Sequence, residues 1–163
     1  MPVKSLLYYE ETMISSLKTD EIVHRMKSMV RKPVKSDFKE NEEQYIFNGF
    51  VNENSFRVSL KIKRPQNFLP LIEGNITDIT NGSLISLSYK MFTSSLIFLI
   101  FWTFVTFISA IIIWFQYKWV WASSGLVLLG LLHLLIARLS FHKQLDISRQ
   151  NLSRIFEEMP STL

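Results

Sequence analysis

At 163 residues the chain is long enough for one ordinary domain, and its 18 basic against 14 acidic residues leave a net charge of only +4. The surplus is thinly spread, with 13 basic against 11 acidic residues before Phe92 and 4 against 3 after Ala137, which argues against nucleic acid as a partner. Cysteine is absent, so disulfides, thiolate catalysis and cysteine-based zinc or iron–sulfur sites are excluded.

The N-terminal stretch lacks the long apolar core of a cleavable signal and carries Glu10 and Glu11. Ser5 to Tyr9 reads as a short strand. Thr19 offers a helix cap, with Asp20 and Glu21 suited to the positive first turn. Ile22, Val23, Met26, Met29 and Val30 recur at helical spacing, and Pro33 stops that helix. The charged, aperiodic run to Gln44 reads as a loop.

Four strands follow. Tyr45 to Val51 is aromatic and β-branched; after Asn52-Glu53-Asn54, Phe56, Val58, Leu60 and Ile62 alternate with Arg57, Ser59, Lys61 and Lys63. Phe68 to Ile79 leads to Asn81-Gly82, a strong hairpin signal. Leu84 to Met91 returns with Ile85, Leu87, Tyr89 and Met91 on one face. A four-stranded antiparallel meander with one helix is the economical assembly, with room for the first strand at its edge. The fold class is α+β over residues 1–91.

From Phe92 to Ala137 the only formal charge is Lys118. The runs Phe92 to Phe115 and Trp119 to Ala137 would reach roughly 36 and 28 Å as helices, against a hydrocarbon core of roughly 30 Å. They lack the alternation of a barrel strand. The expectation for residues 92–138 is therefore a transmembrane helical hairpin, with Gln116-Tyr117-Lys118 as its turn. Lys90, Arg138, His142 and Lys143 flank one side and only Lys118 the other, so both termini are expected in the cytoplasm. Trp114, Tyr117, Trp119 and Trp121 suit the headgroup layer near the turn. Under that topology the sequons at Asn75, Asn81 and Asn151 are chance matches. The sheet, joined to Phe92 without a linker, must lie close to the bilayer.

Residues 139–163 form the third segment. The second apolar helix continues into it, with Phe141, Leu145, Leu152, Ile155, Phe156 and Met159 making an apolar stripe opposite Lys143, Arg149, Arg154 and Glu157; Pro160 ends it. The stripe needs cover from the sheet domain, another copy or the membrane surface.

Candidate sites are few. His133, inside the second apolar run, is either a proton-sensitive contact or a neutral imidazole held by a neighbouring Thr or Ser or reaching toward the headgroups. The absence of an acid or a second histidine in either run favours the neutral reading. Ser123, Ser124, Gly125 and Gly130, with Ser109 and Ala110, supply small residues for closing the hairpin or for joining copies. Arg57, Lys61, Lys63 and Arg64 form a basic strip, either facing lipid headgroups or solvated. Histidines at 24, 133 and 142 offer no paired metal-ligand spacing, and no nucleophile elbow, phosphate loop or dinucleotide fingerprint occurs. No catalytic, cofactor or metal residues are expected.

Through Phe47-Asn48-Gly49, Phe68-Leu69-Pro70, Gly74 and Gly82-Ser83 with Ile85, the chain resembles a loose group of small, uncharacterised bacterial membrane proteins with two transmembrane helices. Members share F-x-G, a segment close to R-N-S-F-L-P, a nearby Gly and a G-T turn; Pro65-Gln66-Asn67 departs from the second of these. The resemblance implies a bacterial cytoplasmic membrane and carries no activity. The expected function is a non-enzymatic inner-membrane module whose hairpin anchors or oligomerises and whose sheet and tail face a protein partner or a small ligand. The alternative is an oligomeric effector that makes the bilayer leaky when a ligand binds. A lipid-acting enzyme is a third class.

Overall fold

The two period-two runs on either side of Thr80-Asn81 pair along their whole length, from Pro70 opposite Met91 to Ile79 opposite Gly82. They are the centre of the sheet in the computed structural model, which describes residues 4–5, 7–31, 45–61 and 68–156. In chain order the elements are β1 (Lys4–Ser5), β2 (Tyr8–Ser15), α1 (Thr19–Met29), β3 (Val30–Arg31), β4 (Phe47–Val51), β5 (Ser55–Leu60), β6 (Pro70–Ile79), β7 (Gly82–Met91), α2 (Thr93–Tyr117) and α3 (Val120–Phe156). The sheet has seven strands in the order β1-β2-β7-β6-β5-β4-β3. Only the β3–β4 pair is parallel.

The expected meander is β4 to β7; the strand expected over Ser5–Tyr9 is interrupted by a turn at Leu7, and β2 from Tyr8 onward is what joins the meander beside β7. That strand is longer than its apolar residues suggested. Glu10, Glu11 and Thr12 disguise an alternation in which Tyr9, Glu11 and Ser15 are buried. Gly82 starts β7 at φ 130°, a backbone region closed to most side chains, and a Cβ there would lie 2.0 Å from the Ser15 carbonyl oxygen. Gly74 serves Phe56: a Cβ at 74 would sit 2.1 Å from the Phe56 ring.

The helix begins where expected, but Thr19 is not its cap. Lys18 holds that position without a side-chain cap, and the Thr19 hydroxyl instead donates to Asp78 Oδ1 at 2.5 Å. Ile22, Val23 and Met26 bury the predicted stripe against the sheet, whereas Val30 leaves the helix to start β3. Lys63, Arg64, Met159 and the break at Pro160 lie outside the described residues.

Two helices, Thr93–Tyr117 and Val120–Phe156, are long and apolar enough to cross a membrane, with mean hydropathies of 2.7 and 2.0 over their most apolar windows. Lys118, at φ 55°, turns the chain between them. The 37 residues of α3 form one continuous helix. Its first half runs along α2. Its second half turns Phe141, Leu145, Leu152, Ile155 and Phe156 into the same core as α1 and the inner face of the sheet. Of the three covers open to the C-terminal stripe, the sheet supplies it. Phe141 to Phe156 of the expected tail thus pack into the sheet's core.

Candidate functional site

The junction between sheet and α3 is where the chain concentrates its buried polar groups. Register places Tyr9 of β2 opposite Tyr89 of β7, and Glu11 opposite Leu87. The two tyrosine rings meet at 5.9 Å between centroids, and both phenols turn toward Glu11. Tyr89 donates to Glu11 Oε1 at 2.9 Å and Tyr9 to Oε2 at 3.4 Å. Arg149, reaching down from α3, brings its Nε to 2.7 Å from Oε2. The Glu11 side chain is 6% exposed and that of Arg149 is 50%, so a buried carboxylate is matched by a cation whose outer edge remains in water. A buried carboxylate is tolerated only when so paired and hydrogen-bonded. Burial pushes the Tyr89 phenol well above its ordinary pKa, and the neighbouring Glu11 carboxylate adds to the effect.

Two further ties hold the end of α3. Ser15 donates its hydroxyl to the Phe156 carbonyl at 2.6 Å, and Arg25 of α1 reaches the Ile155 carbonyl at 3.5 Å. Ser148, also facing the sheet, is fully buried with no hydrogen-bond partner for its Oγ among the described residues. Together these contacts make α3 a lever seated on the sheet. Both oxygens of the Glu11 carboxylate are partnered within this junction.

On the opposite face of the sheet lies an open groove of about 390 Å³ between Tyr8, Glu10, Thr12, Asn75, Ser86 and Lys90. Its charges are largely internal. Glu73 holds Lys90 Nζ at 2.6 Å and Arg57 Nε at 3.5 Å, and the Tyr8 hydroxyl donates to Glu10. Among the described residues no group of three or more His, Asp or Glu side chains gathers where a metal could sit.

Of the strip expected along β5, Arg57 and Lys61 are among the described residues. Arg57 lies opposite Glu73 across the β5–β6 ladder and pairs with it. Lys61 lies past the end of β5, and Lys63 and Arg64 lie outside the described residues. The hairpin closes through three of the six small residues named for it: Ser123 donates to the Ala110 carbonyl at 2.9 Å, and Gly130 lies against Thr106 and Phe107. Ser109 is half-buried, but Ser124 and Gly125 face outward, and a Cβ at Gly125 would meet nothing within 4 Å. His133 is half-buried with its Nε2 unpartnered among the described residues. No hydroxyl of the neighbouring helix bonds it, and Thr103 and Thr106 donate to carbonyls of their own helix.

Sequence reasoning did not single out Glu11, Tyr9, Tyr89 or Arg149. The available signal was the placement of Glu11 in phase with Tyr9 and Met13, an ionisable residue on an otherwise inward face. Its partner Arg149 was read on the polar side of the C-terminal stripe, at whose margin it sits.

No family model matches the chain, and no curated protein matches it. Among solved structures it is similar to protein NE0264 from Nitrosomonas europaea, at 14% identity and a TM-score of 0.33 over 57% of this chain and 80% of that one.

Proposed function

We propose that the chain is a non-enzymatic protein of the bacterial cytoplasmic membrane, in which a helical hairpin anchors an α+β module that senses a ligand or holds a protein partner. The observation that carries this reading is the double duty of α3. Its first half exposes Leu128, Leu129, Leu131, Leu132, Leu135 and Ile136, a surface that calls for lipid. Its second half completes the core of the sheet. Force or tilt applied at either end reaches the other through one helix. The cytoplasmic placement of the sheet rests on the flanking basic residues, and the bacterial membrane on the resemblance to small two-helix proteins.

The groove on the open face of the sheet is the surface for a ligand, within the size range of small-molecule sites. Ser124 and Gly125, left exposed by hairpin closure, give a second copy a place for close helix approach. A pore is less well supported. The hairpin's outward surface is dominated by Leu, Ile, Phe and Trp and offers no polar stripe to line a channel. The test is fractionation of cells producing the full chain: it should stay in the membrane pellet through an alkaline carbonate wash and leave only with detergent. Recovery in the soluble fraction would end the proposal.

A further inference from the structure

The exposed apolar band ends at one level on both hairpin helices. The contacts of Ser123 with Ala110 and of Gly130 with Thr106 fix their antiparallel alignment. Counting on from them brings Leu139 of α3 level with the Ser94–Phe98 turn of α2. Leu96 is the first large exposed apolar residue of α2, and beyond Leu139 the only such residue on α3 is Ile147, at 36% exposure. Just past that level α3 enters the sheet core at Phe141. The neck between band and sheet is therefore shallow.

Apart from the Lys90–Glu73 pair, the charge that the sequence places along it is positive. Between Lys90 and Gln144 the sequence has no Asp or Glu; the next acid is Asp146. Lys90 is held by Glu73. Arg138 and Lys143 are exposed, and neither makes an ion pair with a described residue. They bracket the level at which the apolar band stops. The start of α2 faces the same layer. Its first N–H bond within the helix is Leu96 N to Phe92 O at 3.0 Å, no side chain caps it, and no acid lies in its first turn. The positive end of this 25-residue helix thus has neither a side-chain cap nor an acid in its first turn. A bare helix start alone would define nothing, but here it adds to side chains already carrying unbalanced charge.

We infer that this neck binds the phosphate of anionic phospholipid headgroups, with Arg138 and Lys143 as the recognising cations. The inference rests on the membrane reading above and names the lipid class that reading leaves open. Arg57 of the β5 strip, by contrast, is already paired with Glu73. A cation near an anionic bilayer surface gains about fivefold in binding, and long basic side chains reach the headgroups while their stems stay in apolar surroundings.

The experiment uses the full chain in detergent, titrated with phosphatidylglycerol and phosphatidylcholine of matched acyl chains, with bound lipids counted by native mass spectrometry. Phosphatidylglycerol should bind in preference. The double variant Arg138→Gln, Lys143→Gln should lose about tenfold or more of that preference, Arg138→Lys should keep it, and Arg57→Gln should leave it unchanged. Inorganic phosphate should compete only weakly, because it lacks the acyl chains that hold the headgroup at the neck. Equal binding of the two lipids, or a preference untouched by the double variant, overturns the inference while leaving the anchor intact. A chain that takes up neither lipid and stays soluble without detergent overturns both.

Discussion

Glu11 is the residue on which the junction turns, because it is buried, charged and shared by three partners. Removing Arg149 strands the carboxylate with its two phenols, so Arg149→Ala should destabilise the fold by about 1–3 kcal/mol in chemical denaturation. Glu11→Gln keeps an acceptor for Tyr89 and should cost less. Tyr89 makes a prediction in pH. Its phenol stays neutral in the folded chain, while the same group in the unfolded chain ionises around 10. Its contribution to stability is therefore complete below that pH and is lost as pH rises above it. An alkaline absorbance titration should show one tyrosine that ionises only with unfolding, and Tyr89→Phe should remove it. At Gly74 the constraint is steric: Gly74→Val would drive a side chain into the buried Phe56 ring, at a cost of about 1–3 kcal/mol. Gly74 stood out in the sequence only as part of the resemblance, and Glu11 did not stand out as a buried group. A carboxylate in a short strand reads as solvent-facing until the register shows what lies opposite it.

Among the elements, α3 carries the argument. Its length was readable because neither Pro nor Gly interrupts the chain from Leu131 to Phe156, and its stripe at Phe141, Leu145, Leu152, Ile155 and Phe156 is the one buried. What covers the stripe was not readable, since an amphipathic face specifies burial without specifying the partner. A break in this helix should separate its two duties. Ser140→Pro removes an N–H bond and crowds the preceding turn, at about 3 kcal/mol. Hydrogen exchange should then rise around the neck while the hairpin and the β6–β7 pair stay protected. Within the hairpin, Gly130→Val would press on Thr106 and Phe107, whereas Gly125→Ala meets empty space. Thermal unfolding in detergent should show a loss for the first and little change for the second. The small residues announced a close approach; which of them face the partner depends on helix rotation, which nearly uniform apolar faces do not encode.

The molecule as a whole is a sheet with helices on one face, joined to an apolar hairpin by a strand end on one side and a continuous helix on the other. Two covalent connections at one level, Met91 to Thr93 and Ala137 to Phe141, hold the sheet against whatever surrounds the hairpin. This arrangement was largely legible, because strand alternation, the Asn81-Gly82 turn and a 46-residue stretch with one charge are strong local signals. The edge strands β1 and β3, two residues each, were not, since strands so short exist only by pairing with neighbours.

The absence of native cysteine makes the topology directly measurable. Single cysteines at Lys118, in the hairpin turn, and at Asn52 and Ser153, on the sheet and the far part of α3, can be labelled with a membrane-impermeant maleimide in intact cells. Lys118→Cys should react from outside, while Asn52→Cys and Ser153→Cys should react only after the membrane is opened. Labelling of Asn52→Cys and Ser153→Cys from opposite sides, or of all three without any membrane barrier, would contradict a hairpin anchor that returns α3 to the sheet.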